Sequence, residues 1–346
     1  MTSHAPVTAK RQFDLVKTYK PIEAEMQSTT ETLRDALRHV DPLMDEYLDY
    51  AFRLGGKRLR PALMLLCAKA WGLADQRAIY CAAALELIHT GSLVHDDILD
   101  GARFRRKLET INVKWDSHRA VLIGDILITR ALKLICQCDD IDVFREFSVR
   151  CLETVEGELF QTDSIGNFEL TVDDYRRIVG GKTAALLECA TRLGGRLAGA
   201  RDADLDAFAR FGRNIGIAFQ IVDDILDLVG SEEATGKTLG SDLSNKKETL
   251  PVIYYLESCG EKEARAFLER VERGIAPEER EEIAALLIES GAVTKAMDEA
   301  NRLIDEALAD LNMLRDRAQS NGRDSASLSA FDSLEDVARF VVGRDR

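Results

Sequence analysis

The six prolines of this chain, Pro6, Pro21, Pro42, Pro61, Pro251 and Pro277, leave positions 62 to 250 without one. Helices tolerate such a gap and loops rarely produce it, because proline removes a backbone donor and disturbs the preceding helical turn. No segment alternates apolar and polar residues in the manner of a half-buried strand, which argues against a sheet-based fold. Basic residues are in deficit, with 46 Lys and Arg against 60 Asp and Glu and a net charge of −14, so nucleic acid is not expected as a partner. There is neither a charged-then-apolar signal at the N-terminus nor a run of about twenty apolar residues, so a cytoplasmic protein is expected. The seven cysteines are an odd number and lie mostly in apolar runs, which fits reduced, buried thiols better than disulfides. Cys136-x-Cys138 does not have the spacing of a zinc site.

What is present reads as helix. Apolar residues recur at three- and four-residue spacing through 78–99, 119–136, 143–160, 204–229 and 281–314, the pattern of stacked amphipathic helices. With 346 residues, 46% of them hydrophobic, the chain can bury a large core. We expect a loosely held leader over residues 1–25 and a single all-α domain over 26–346. Ser320 to Ser329 reads as a loop before a last helix near Leu334 to Val342.

One pentapeptide occurs twice. Asp96-Asp97-Ile98-Leu99-Asp100 returns 127 positions later as Asp223-Asp224-Ile225-Leu226-Asp227. Each copy sits in an apolar, helix-forming run, where an ionised group is costly to desolvate unless a cation accompanies it. On a helix, the first and fifth residues stack on one face and the second lies about 100° around the axis. Carboxylates so placed suit a hard divalent ion, and Mg²⁺ in particular takes one or two carboxylates while substrate phosphates complete its shell. Two such helices facing each other would clamp a diphosphate through shared ions.

Local basic clusters stand out against the acidic background. Gly55-Gly56-Lys57-Arg58-Leu59-Arg60-Pro61 joins two glycines to three cations at a helix start, an arrangement able to offer amides and charge to a phosphate. Arg103, Arg105, Arg106 and Lys107 follow the first acidic motif, and the adjacent Arg105 and Arg106 offer forked donors to phosphate oxygens. His89 lies two turns before Asp96 on the same helix. Gly180-Gly181-Lys182-Thr183 again joins flexible backbone to a cation and a hydroxyl, without the full phosphate-loop signature.

Taken in order, these motifs resemble the trans-type polyprenyl (isoprenyl) diphosphate synthases, of the octaprenyl or long-chain kind. Gly124-Asp125, Phe219-Gln220 before the second acidic motif, and Gly236-Lys237 through Asp242-Leu243 to Thr249-Leu250-Pro251 extend the resemblance to nearly the whole chain from about Glu31. It implies an all-α bundle of antiparallel helices around a deep central cavity, working as a homodimer. Asp96, Asp97, Asp100, Asp223, Asp224 and Asp227 would bind about three Mg²⁺ ions. Lys57, Arg60, His89 and Arg106 would hold the diphosphate of isopentenyl diphosphate. Arg105, Lys182, Thr183, Gln220, Lys237 and Lys247 would contact the allylic diphosphate. The implied chemistry is ionisation of the allylic diphosphate, attack by the isopentenyl double bond and loss of a proton, driven by electrostatic stabilisation of the departing group. Where the family commonly has glycine after its arginine pair and before Lys-x-Thr-Leu-Pro, this chain has Lys107 and Lys246.

The small residues Gly91 and Ser92, four to five positions before Asp96, suggest an open cavity floor and a medium-to-long all-trans product, with Leu132, Leu87 or Ile88 setting the stop. Close helix packing is the competing account of Gly91. The alternatives are a short-chain farnesyl or geranylgeranyl synthase and a non-catalytic subunit of a heteromeric synthase. A terpene cyclase is disfavoured because its second metal motif would differ from the repeated Asp-Asp-x-x-Asp.

Overall fold

A computed structural model describes residues 14–39, 41–72, 75–230, 240–276 and 279–344. In chain order the helices are α1 (Leu15–Tyr19), α2 (Glu23–Leu37), α3 (Pro42–Arg53), α4 (Leu59–Trp71), α5 (Gln76–Leu99), α6 (Ile111–Lys114), α7 (Ser117–Cys136), α8 (Ile141–Asp163), α9 (Val172–Val179), α10 (Ala185–Leu197) and α11 (Asp202–Val229). They continue as α12 (Ser241–Ser244), α13 (Leu250–Ser258), α14 (Glu261–Glu272), α15 (Arg280–Glu289), α16 (Ala292–Ser320) and α17 (Ser325–Gly343). The strands described are the two-residue pair β1 (Phe104–Arg105) and β2 (Leu108–Glu109), an antiparallel hairpin between α5 and α6. The all-α architecture expected from the periodicity is therefore observed.

Side-chain caps start the helices that matter for the site. Asp75 accepts the amides of Arg77 and Ala78 at the head of α5, Asp140 those of Asp142 and Val143 at α8, and Thr171 forms a capping box with Asp174 at α9. Helix α5 is apolar on most of its circumference, and Ala82, Ala83, Ala84 and Leu85 are fully buried, so it runs through the centre of the bundle against α2, α4, α7 and α10. Helix α11 packs on α10 and α16, and α17 closes the bundle against α4 and α16. A single cluster of buried apolar side chains reaches from Ile22 to Val341.

Three expectations change. Residues 14–25 of the supposed leader are helical and packed, with Thr18 and Ile22 buried; residues 1–13 lie outside the described residues. The apolar pattern over 281–314 is two helices, broken where Gly291 adopts a φ of 81°. The last helix begins at Ser325, capped by Asp324, so the loop is confined to residues 321–324. All seven cysteines are free thiols; Cys136 is exposed and Cys138 buried, 3.3 Å from Cys81 sulfur to sulfur. Among the described residues no helix is long and apolar enough to cross a membrane.

Candidate active site

The two acidic motifs lie at the C-terminal ends of α5 and α11, the long helices that run through the core. Both open onto one space, because two lysines connect them. Lys182, next to the Thr183 that bonds Gln220 on α11, stands close enough to Asp96 to act on its charge. Lys247 contacts Asp100 at 3.1 Å and lines the same cavity as Lys182, Gln220 and Asp224. Burial pushes the Asp96 carboxyl up to about 6, against the pull of the Lys182 ammonium.

Within each motif the carboxylates differ. Asp97 is 2% exposed and accepts a fork from Arg105, whose Nη2 lies 2.7 Å and Nε 3.0 Å from its oxygens. Asp224 is 4% exposed and accepts Tyr175 Oη at 2.6 Å and Gln220 Nε2 at 2.8 Å. Burial, and then the Asp242 carboxylate, hold Asp224 well above the usual carboxylate range. The middle member of each motif thus takes donors from the protein, and Asp224 does so at the wall of the cavity. The outer members carry exchangeable partners: Asp100 has Lys247, and Asp223 has Arg344 at 2.8 Å. Asp227 accepts Ser241 Oγ at 2.8 Å and the Asp242 amide at 3.0 Å, tying the start of α12 to α11.

A separate basic pocket sits beside the first motif. Arg60 is held down to about 10 by burial, opposed by Glu86, and its Nε is buried without a partner among the described residues. Arg106 donates Nη1 to the Leu54 carbonyl at 3.0 Å and lies flat on Gly56, where a Cβ would stand 2.0 Å from its Nη2. His89 is kept neutral, well below its ordinary value, by burial and by Arg60, Arg105 and Arg106. Glu86, 6% exposed, underlies the cluster as a buried counter-charge and accepts the Gly56 amide. Lys57 is exposed at the rim, 5.9 Å from the Phe340 ring centroid, whereas Arg58 turns away to Thr30 and Phe52. Arg60, Arg105 and Arg106 gathered around His89 make a cluster of positive charge suited to an anion.

Among the described residues no three acidic, imidazole or thiol side chains are grouped closely enough to hold a metal ion by themselves. The outward carboxylates Asp96, Asp100, Asp223 and Asp227 nevertheless offer only oxygen, and a small hard cation usually takes just one or two protein carboxylates beside phosphate oxygens. These residues therefore fit a divalent ion as one half of its shell.

The sequence model of the polyprenyl synthetase family matches residues 41–288. The chain belongs to this family. An octaprenyl diphosphate synthase of Haemophilus influenzae is 32% identical over 295 residues, covering 85% of this chain and 90% of that protein. A geranylgeranyl diphosphate synthase of Sulfolobus acidocaldarius is 33% identical over 297 residues, 84% of this chain and 90% of that protein. The crystal structure of a Caulobacter crescentus polyprenyl synthase complexed with calcium and isoprenyl diphosphate superposes with a TM-score of 0.87, at 29% identity, over 97% of this chain and all of that one. Polyprenyl synthetases are prenyltransferases that use a divalent metal, an allylic diphosphate and isopentenyl diphosphate.

Several of the expected site residues have protein partners in the structure. Asp97 and Asp224 are engaged by protein donors, and Arg105 holds Asp97 where an allylic diphosphate contact was expected. Gly180 to Thr183 form no loop: a π-helical turn, Gly180–Ala184, joins α9 to α10. Its glycine admits the backbone of α8, since a Cβ at Gly181 would lie 2.6 Å from the Glu153 carbonyl. Gly91 faces α7, where a Cβ would meet Ile128 at 3.0 Å and the Gly124 carbonyl at 3.1 Å, so the packing account of it holds. Ser92 is half-buried and donates to the His89 carbonyl, Leu87 and Ile88 are buried, and Leu132 is 41% exposed on the outer face of α7. Lys237 lies outside the described residues. The sequence reading missed Tyr175, Arg344, and the pair Glu158 and Gln161, which both hold the Lys182 ammonium at 2.6 Å. The α8 pair was findable, as acid and amide one turn apart on a helix; Arg344 and Tyr175 carried no local signal.

Proposed function

We propose that the protein condenses isopentenyl diphosphate head-to-tail onto an allylic diphosphate and makes a medium-to-long all-trans polyprenyl diphosphate. One observation carries the reading: the carboxylates of the first motif meet Lys182 and Lys247, these lysines line one cavity with Gln220 and Asp224 of the second, and a separate cluster of cations lies beside the first motif. Two anionic substrates then have two distinct places.

Lys182, Thr183, Gln220 and Lys247 are assigned to the allylic diphosphate, with Lys237 as a further contact. Arg60, Arg106, His89 and Lys57 are assigned to isopentenyl diphosphate. Lys182 would exchange Glu158 and Gln161 for phosphate oxygens, and Lys247 would exchange Asp100. Neutral His89 can donate one N–H to a phosphate without adding charge to a pocket that already holds two guanidinium groups. Asp96, Asp100, Asp223 and Asp227 are assigned as ligands of about three Mg²⁺ ions, which would stabilise the charge developing on the departing diphosphate. The allylic C–O bond breaks, the isopentenyl double bond supplies the electron pair for the new C–C bond, and the proton lost passes to the released diphosphate.

The octaprenyl relative supports the long product, with Ser92 and then Leu87 and Ile88 along the path of the tail. Gly91, which faces α7, gives no support to an open floor, and a short-chain synthase stands as the second reading. A homodimer in the cytoplasm is also proposed. Val121, Leu122 and Leu132 on α7 and Phe144, Leu152, Val155 and Leu159 on α8 are each at least 40% exposed, an apolar face that a second copy would cover.

Turnover of radiolabelled isopentenyl diphosphate by the purified chain alone, with Mg²⁺ and farnesyl diphosphate, tests the assignment, and chromatography of the product reads its length. Absence of any condensation, or activity only after a second protein is added, would overturn it.

A further inference from the structure

The middle carboxylate of the second acidic motif ends a chain of hydrogen bonds that runs through Gln220 and Thr183, both assigned above to the allylic diphosphate, to a tyrosine with no role assigned so far. Tyr175 Oη donates to Asp224 Oδ2 at 2.6 Å, Gln220 Nε2 donates to Asp224 Oδ1 at 2.8 Å, and Thr183 Oγ1 donates to Gln220 Oε1 at 2.8 Å. Three elements are joined in this way: α9 through Tyr175, α11 through Gln220 and Asp224, and the π-helical turn through Thr183. Tyr175 is 3%, Asp224 4% and Thr183 9% exposed, while Gln220 is half-buried, and all four line the cavity shared with Lys182 and Lys247.

The chain has a fixed direction. Gln220 turns its NH₂ to Asp224 and its oxygen to Thr183, so Asp224 accepts from both Gln220 and Tyr175. Thr183 must then donate, which sets its rotamer; the ammonium of the adjacent Lys182 is held separately, by Glu158 and Gln161. Removing the phenol oxygen leaves a buried acceptor without its donor from α9, a fault that relaxes by rotation of Asp224 and loss of the Gln220 orientation. A fully satisfied buried network of this kind holds one geometry.

We propose that Tyr175 is a positioning residue for the allylic diphosphate. Acting through Asp224, it sets the placement of Gln220 and Thr183 relative to the outward carboxylates of α11. The identity of the ligand rests on the function proposed above; the hydrogen-bond chain does not.

The test compares Tyr175→Phe, Asp224→Asn and the double variant with the parent protein. Three quantities are read: calorimetric binding of inorganic pyrophosphate with Mg²⁺, the KM of each substrate, and the thermal midpoint. Tyr175→Phe is expected to weaken pyrophosphate binding and raise the allylic KM about tenfold, while the isopentenyl KM stays within about twofold. In the Asp224→Asn background the same change is expected to add less than about twofold, because its effect runs through Asp224. Unchanged pyrophosphate binding overturns the proposal. So does an equal rise in both KM values tracking a lowered thermal midpoint, which a merely structural role would produce. Multiplying losses in the double variant also overturn it, since they would mean that Tyr175 acts independently of Asp224. Should the parent protein transfer no prenyl group, the proposed function fails, and the pyrophosphate titration still decides the role of Tyr175.

Discussion

Arg105 grips Asp97 with Nε and Nη2 at 3.0 and 2.7 Å, from the hairpin that follows α5 back onto the helix carrying the first acidic motif. Asp97 is 2% exposed, so this is a buried ion pair and not a surface one. Breaking it leaves an uncompensated charge, which costs about 3–5 kcal/mol. Arg105→Ala is therefore expected to lose about that much stability in the ligand-free protein, measured by denaturant unfolding. Arg105→Lys should recover only part of it, because an ammonium cannot fork. Full stability in both variants would show that the pair is incidental.

Gly91→Phe is expected to destabilise the fold by about 1–3 kcal/mol, the usual cost of overpacking. Its side chain would be driven into Ile128 and the backbone of α7. Ser92→Phe, at a half-buried neighbouring position, is expected to keep the fold and shorten the product. Thermal unfolding and product chromatography on both variants separate the two outcomes; a shortened product with normal stability for Gly91→Phe would restore the open-floor reading.

Lys107 and Lys246 occupy the two places where the family commonly has glycine, and both adopt left-handed backbone, at φ of 69° and 56°. That conformation costs a side-chain-bearing residue about 1–2 kcal/mol, part of which glycine gives back as unfolded-chain entropy. Lys107→Gly and Lys246→Gly are each expected to raise stability by several tenths to about 1 kcal/mol, read as a rise in the thermal midpoint.

The carboxyl of Asp96 is raised to about 6 from an ordinary 3.8. Between those values the folded chain holds a proton that the unfolded chain has released, so its contribution to stability is present at low pH and disappears as pH climbs through about 6. Asp96→Asn is accordingly expected to flatten that fall and to be no less stable than the parent protein at pH 7.5, while losing condensation activity at least a hundredfold. Mg²⁺ competes with the same proton, so metal-dependent pyrophosphate binding should strengthen more steeply between about pH 5 and 7 in the parent protein than in the variant, the titration of pyrophosphate itself being common to both. Denaturant midpoints and calorimetry across that range check both statements; an identical pH profile in the variant removes Asp96 from the account.

The exposed apolar face of α7 and α8 predicts an association through it. Leu152→Asp together with Leu159→Asp is expected to convert a dimer to a monomer in sedimentation velocity with little change in helix content. A dimer surviving both changes would place the interface elsewhere.

Much of the architecture was legible before any coordinates. Starts such as Asp75, Asp140 and the Thr171–Asp174 box agree with the apolar periodicity, so the long helices fall within a few residues of expectation. Where periodicity continues across a break it misleads: the pattern over 281–314 does not register a single left-handed glycine at 291. Rotation around the helix also foretold that the second residue of each acidic motif would diverge from the first and fifth. Its partners, Arg105 and Tyr175, could not be foretold.

The chain alone determined that helices would form, that two acid-bearing helices would lie in apolar surroundings and that cations would accompany them, because propensity, periodicity and desolvation cost are local properties. Which cation met which acid was decided by tertiary packing. Tyr175 reaches Asp224 across 49 positions, Arg344 reaches Asp223 across 121, and Lys247 reaches Asp100 across 147. No local pattern encodes such distances; they follow from the order in which α5, α8, α11 and α17 stack, and that order is set by the summed burial of faces no one of which specifies its neighbour.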